Sequence, residues 1–276
     1  MNRQDVCLLI NSTPKYFYLL PLQLTLLRRY APDLQWPVYF ATEVPDHPIA
    51  VQLQKEFDVH LLHLEASKAG FLESRSAALS LLPPSLTYVL PLQEDFLLDR
   101  SPDTKALLDA LYILDTDRSV SSLRLMPCPG PHESDGLYVK EKAWKLLSSK
   151  DTYIFTYQAT LWRRMDLTLY FDGLLTSIAK DFGTRTSEEK KYLALMNNVG
   201  ENHYGQEVLK KTLPDTLHLC WPRAHSHPNA VYLCPWPYRP TAVTRGRLES
   251  FAEELFRREG VKFERPSSDT MGTSPL

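Results

Sequence analysis

Short apolar runs alternate with helical periodicities along the first half of the chain. Residues 5–10 (DVCLLI) have the length and character of a buried strand, and Asn11, Ser12 and Thr13 behind them are turn and cap residues that release the chain into a helix over about 16–29. Residues 36–41 (WPVYFA) and 59–64 supply a second and a third strand. A helix over about 71–82 is stopped by Pro83 and Pro84, and the run at 86–98 (LTYVLPLQEDFLL) opens as a fourth strand. This alternation predicts an α/β chain whose sheet is mostly parallel and covered by helices.

Farther on, residues 103–114 (DTKALLDALYIL) carry amphipathic spacing behind Ser101 and Pro102 and predict a surface helix. Residues 120–126 (VSSLRLM) read as a strand, and 127–136 (PCPGPHESDG) as an irregular loop, either a cleft rim or plain surface. From 153 the segment YIFTYQATLWRRMDL reads as extended chain leading into a short helix, with helices following at 174–182, 187–197 and 204–211. Residues 218–234 are aromatic and punctuated by Pro, and 245–259 has the pattern of a charged amphipathic helix. Without an internal repeat or long linker, residues 1–265 are expected to form one compact unit, followed by a disordered polar tail at 266–276.

A chain of 276 residues is long enough for a continuous core. Hydrophobic residues make up 43% and charged residues 23%, a soluble globular balance that excludes disorder as the default. With 31 basic and 33 acidic side chains the net charge is −2, so no global field draws the protein to nucleic acid or to an anionic membrane, and any polyanion site must be local. The cysteines, Cys7, Cys128, Cys220 and Cys234, show neither CxxC nor zinc spacing and are expected to be reduced, mostly buried thiols. The first residues, MNRQDVCLLINS, do not read as a secretory signal, and the greasy stretch at 16–27 is shorter than the roughly 20 residues that cross a bilayer. A cytoplasmic protein with no transmembrane segment is expected.

Chemistry enters at Gln93, Glu94 and Asp95. Two carboxylates inside an apolar segment must be solvated, paired or metal-bound, because a buried unpaired charge is costly or neutralises itself. At the carboxyl end of a strand in an open α/β sheet, they lie where ligands bind. The segment resembles the acidic strand-end motif, usually Asp-x-Asp, of GT-A-fold nucleotide-sugar glycosyltransferases, with Gln93 standing where the first Asp would be. That resemblance implies a GT-A-like (Rossmann-like), mixed and mostly parallel central sheet flanked by helices. It also implies that Asp95, with Glu94, holds Mn2+ or Mg2+ against a donor diphosphate, Gln93 beside them, with metal dependence either weak or absent where the first acid is missing.

The whole stretch FLESRSAALSLLPPSLTYVLPLQEDF is similar to the family layout in which the helix ahead of the acidic motif lends an Arg to the donor, here Arg75. A guanidinium there offers a permanent cation with fork geometry. Asn11, Ser12 and Thr13 occupy the loop that borders the nucleoside in such proteins, and their polar groups at a helix start suit a base or phosphate as well as simple capping. No Gly-rich fingerprint is present, which argues against a dinucleotide or P-loop site. YQATLWRR, residues 157–164, resembles the element under the donor sugar; Gln158 would bond hydroxyls and Trp162 would either stack on the sugar or pack in the core.

Inverting transfer needs a carboxylate to deprotonate the acceptor hydroxyl. ENHYGQEVLKK, residues 201–211, is similar to the late acidic element of the family, with Glu207 the first choice of base and Glu201 the reserve. A helix start holds such an acid ionised, so burial or a second acid would have to raise its pKa. His225 and His227, in PRAHSHPNA, lie where some members of the fold place a third metal ligand, and His227 is the candidate carried forward. His132 and Asp135 are candidates for acceptor contacts. The expected function is inverting, metal-assisted transfer of a sugar from a nucleotide-diphosphate sugar donor to a hydroxyl of a glycan or other acceptor. The alternatives are a non-catalytic nucleotide-sugar or glycan-binding or scaffold protein of the same fold, and a nucleotidyltransferase.

Overall fold

The computed structural model describes residues 3–68, 70–127, 136–138, 143–148, 153–183, 200–222, 234–239, 241–244 and 246–262. Its centre is a sheet of eight strands: β1 (Val6–Asn11), β2 (Val38–Thr42), β3 (His60–His63), β4 (Tyr88–Leu92), β5 (Val120–Arg124), β6 (Lys145–Leu146), β7 (Thr160–Arg163) and β8 (Leu217–Cys220). They lie in the order β3-β2-β1-β4-β7-β5-β8-β6. β3, β2, β1 and β4 run parallel, β7 is antiparallel to both β4 and β5, and β5 and β8 are parallel again. The expected α/β class and mixed, mostly parallel sheet are therefore what the chain adopts.

Strand alternation sorts the core onto two faces. Val6, Leu8 and Ile10 of β1 point to one side with Tyr88, Leu90 and Leu92 of β4, while Cys7, Leu9 and Val89 point to the other. On the first side pack α1 (Leu20–Tyr30), α2 (Pro48–Phe57), α4 (Thr104–Thr116) and α7 (Ser250–Glu259). On the second pack α3 (Phe71–Leu81), α5 (Arg164–Phe182) and α6 (His203–Thr212). Both faces are covered, which explains why the strands are apolar runs and not alternating ones. Cys7, Cys220 and Cys234 are buried, and none of them is in a disulfide among the described residues. Cys128 lies outside the described residues.

Several predicted boundaries shift for identifiable reasons. The helix expected over 16–29 begins as a 3-10 turn at Pro14–Leu19 and becomes α1 only at Leu20, because Pro21 has no N–H to give and is tolerated only in a first turn. α2 was not anticipated; Pro48 opens it, the His47 side chain accepts the Ile49 N–H at 3.2 Å, and Asp58 ends it in the left-handed region at φ 55°. The short helix expected at 174–182 is the second half of the 19-residue α5. Gly173 sits inside α5 because a Cβ there would lie 2.6 Å from Thr212 Oγ1, so glycine lets α5 and α6 approach closely. Of the amphipathic segment at 245–259 only Ser250–Glu259 is the helix α7; Arg247–Leu248 is a strand, β10, paired antiparallel with β9 (Val243–Thr244). No helix of the described residues is long and apolar enough to cross a membrane. The helix expected at 187–197 and the tail at 266–276 lie outside the described residues.

Candidate functional site

The parallel strands β1, β2, β3 and β4 all end at one edge, and the segments that follow them open onto one cavity of about 490 Å³. Asn11, Ser12 and Thr13 come from the end of β1, Glu43 from β2, Leu64 from β3, and Gln93, Glu94 and Asp95 from β4. Phe71, Ser74 and Arg75 enter from the start of α3, and Thr241, Val243 and Gly246 from the hairpin near the chain end. Seven residues singled out by sequence, Asn11, Ser12, Thr13, Arg75, Gln93, Glu94 and Asp95, thus share one recess.

The acidic turn is fixed from two sides. Gln23 of α1 donates to the Gln93 carbonyl at 2.6 Å. Ala242 of the hairpin segment donates its N–H to Asp95 Oδ2 at 3.3 Å. Asn11 donates to the Ser74 carbonyl at 3.3 Å, tying the β1 loop to α3. The second oxygen, Asp95 Oδ1, is buried and has no hydrogen-bond partner. Burial pushes Asp95 up to about 6, with the Ala242 N–H opposing that shift, and pushes Glu94 up to about 7, with Asp95 adding to the rise and Arg75 working against it. Both carboxyls are therefore short of counter-charge.

Arg75 supplies only part of it. The guanidinium lies 3.6 Å from the Phe71 ring centroid and 5.3 Å from that of Tyr157, and Nη1 donates to the Phe71 carbonyl at 2.9 Å. Burial pushes its pKa down, opposed by Tyr157 and Glu94.

Two acids on adjacent positions, one with an orphaned buried oxygen, fit a hard divalent cation that takes one or two carboxylates and completes its shell with water and substrate phosphate. They do not fit an all-protein cage, since among the described residues no group of three or more His, Cys, Asp and Glu is placed to hold a metal. His227 and His225, like His132 and Asp135, lie outside the described residues.

Other candidates fall elsewhere. Trp162 is 2% exposed in the core between β4 and β5, so its ring presents no face to a sugar. It borders a small void of about 30 Å³ behind the cavity, together with Gln158. Gln158 accepts from the Tyr238 hydroxyl at 2.6 Å, which holds its carbonyl toward the interior. Glu207, the expected base, stands half-exposed on α6, ion-paired with Lys210 at 2.9 Å, and is not among the residues that line the cavity. The Lys210 partner holds its carboxyl below the usual range, the opposite of what a base requires. Glu201 accepts the Tyr157 N–H at 2.6 Å and thereby anchors the loop that carries Tyr157.

Sequence reading passed over Glu43, Phe71, Gln23 and the residues at 241–246. Glu43 and Phe71 each follow or open a predicted element at the ligand edge, a signal that was present; Gln23 and the hairpin reach the site only through contacts distant in sequence.

No protein-family model and no curated protein sequence matches the chain. Among solved structures it is similar to a cytidylyltransferase from Leptospira borgpetersenii serovar Hardjo-bovis, at 11% identity over 96% of this chain and 99% of that one, with a TM-score of 0.42. It is similar also to the mannosyltransferase PcManGT from Pyrobaculum calidifontis in complex with GDP-Man and Mn2+, at 16% identity over 60% of this chain and 46% of that one, TM-score 0.39. S. aureus TarS matches at 17% identity over 60% of this chain and 30% of TarS, TM-score 0.40. At these TM-scores the likenesses carry no argument about chemistry, and the reading of the site rests on its own geometry.

Proposed function

We propose that the cavity binds a nucleotide-diphosphate sugar with a divalent cation and that the protein transfers the sugar to a hydroxyl of a glycan or other acceptor. The observation that carries this reading is the Glu94–Asp95 pair: two carboxyls in a recess of about 490 Å³, both pushed up by burial, with Asp95 Oδ1 unpartnered. Mn2+ or Mg2+ would be held by those oxygens, and when bound it supplies a Lewis acid for charge developing on the departing diphosphate. Asp95 is oriented by the Ala242 N–H, and Arg75 places a fixed positive charge beside the acids. Asn11, Ser12 and Thr13 offer amide, hydroxyl and backbone donors at the same edge.

A second reading, a binding protein without turnover, is favoured by the placement of the two candidate bases. Glu207 lies on the surface, and Glu201 is engaged with a backbone N–H. Calorimetric titration with UDP-, GDP-, CDP- and dTDP-sugars, with and without Mn2+, tests the first reading. At least one donor is expected to bind with Mn2+ and to lose affinity in Asp95→Asn; no binding by any of them sinks it. Binding without release of nucleoside diphosphate, followed by mass spectrometry in the presence of sugar acceptors, would establish the second.

A further inference from the structure

Phe71 is the first residue of α3, and its ring forms part of the cavity wall. It is 46% exposed, whereas Ala41 and Leu64 on the same wall are 1% exposed. An aromatic ring left half open on the wall of a recess is available to a ligand that enters it.

The ring is also held still. Arg75, one turn along the helix, folds back so that its guanidinium covers one face of Phe71 at 3.6 Å and its Nη1 bonds the Phe71 carbonyl. The Tyr157 ring meets Phe71 edge-on at 5.0 Å and 80°. With one face and one edge occupied, the exposed surface is what remains of the ring. A ligand that stacks there does not have to order the side chain first, which is the condition for a strong contact.

We propose that Phe71, backed by the Arg75 guanidinium, is the platform on which the nucleobase of the bound nucleotide stacks. This inference rests on the nucleotide-binding reading of the same cavity. A cation against one face draws the ring's electron density toward itself, so the opposite face is a poor partner for a second cation or for sugar C–H groups. A flat ring carrying carbonyl groups is the better partner. Every base has a π-face, so the platform contributes affinity with little choice among bases.

The test uses the full chain and three probes, UDP, GDP and inorganic pyrophosphate, each titrated with Mn2+. Phe71→Ala is expected to weaken UDP and GDP about 10- to 100-fold while leaving pyrophosphate within about twofold. Phe71→Trp is expected to keep nucleotide affinity and to add fluorescence that UDP and GDP quench and pyrophosphate does not. Equal losses for pyrophosphate and nucleotides in Phe71→Ala would mean that Phe71 acts only by seating Arg75, and would overturn the proposal. Unchanged UDP and GDP affinity in that variant overturns it as well. If the unaltered protein binds none of the three probes, the nucleotide reading itself fails; if it binds them and Phe71→Ala binds as well, only the platform fails.

Discussion

Gln23 of α1 donates its side-chain amide to the carbonyl of Gln93 at 2.6 Å, so a helix on one side of the sheet holds the first residue of the acidic turn on the ligand edge. Gln23 is 4% exposed, and its Oε1 has no hydrogen-bond partner. Replacement by Leu removes the orphan and frees the Gln93 carbonyl, opposing contributions of about 1–3 kcal/mol each. Gln23→Leu is therefore expected to unfold in urea at nearly the same midpoint and to bind Mn2+ with nucleotide more weakly. Unaltered Mn2+ affinity would separate Gln23 from the acids.

The acid pair makes stability depend on pH in an uncommon direction. Burial raises Asp95 from the ordinary 3.8 to about 6 and Glu94 from 4.5 to about 7, so the folded chain holds protons that the unfolded chain has released. Stability is then highest below about pH 4 as far as these groups are concerned, and falls as pH rises to 7. Asp95→Asn and Glu94→Gln are expected to raise the melting temperature at pH 8 and to leave it unchanged near pH 4, in melts without metal. An equal effect at both values would show that the carboxyls are ordinarily solvated.

His218 works the other way. Its Nδ1 lies 2.8 Å from Ser122 Oγ and its Nε2 3.3 Å from Thr216 Oγ1; burial, and then the charge of Arg124, push it down to about 3. The unfolded chain takes up a proton near 6.5 that the folded chain refuses, so this contribution is complete above pH 6.5 and is lost as pH falls toward 3. His218→Asn should flatten the acid limb of the melting curve between those values. A limb of unchanged steepness would assign acid sensitivity to other groups.

Trp162 and Glu207 provide a paired contrast. Trp162→Ala empties a site in the core and is expected to cost about 3–5 kcal/mol in chemical denaturation. Glu207→Gln removes a solvent-screened ion pair and should leave the denaturation midpoint essentially unchanged. Transfer activity, once a donor is identified, should be unchanged in Glu207→Gln; a large loss of turnover would restore Glu207 to the reaction.

The portion of this legible in the sequence is the portion that local pattern can encode. Runs such as Val6–Asn11 and Tyr88–Leu92 are buried on both faces and so stand out as apolar segments, and strand ends in a parallel sheet fall together whatever the distances between them in sequence. Hence Asn11 and Asp95, at two strand ends, group together from the pattern alone, and Arg75 joins them through the resemblance of its helix to the family layout. Facing is another matter. An acid at the start of a helix reads the same whether it points to a cleft or to solvent, and Glu207 points to solvent. An aromatic in an extended segment likewise does not declare whether it stacks on a ligand or packs between strands, as Trp162 does. β6 and the hairpin strands β9 and β10 have two residues each, too short for any periodicity to show.

The hairpin wall has a temporal meaning. Ala242 lies 147 residues beyond Asp95, yet it bonds that carboxylate and helps shield it from water. During synthesis the acids, the β1 loop and α3 all leave the ribosome long before their enclosure does. The acid pair is therefore left without this part of its wall until the residues around Ala242 have also emerged.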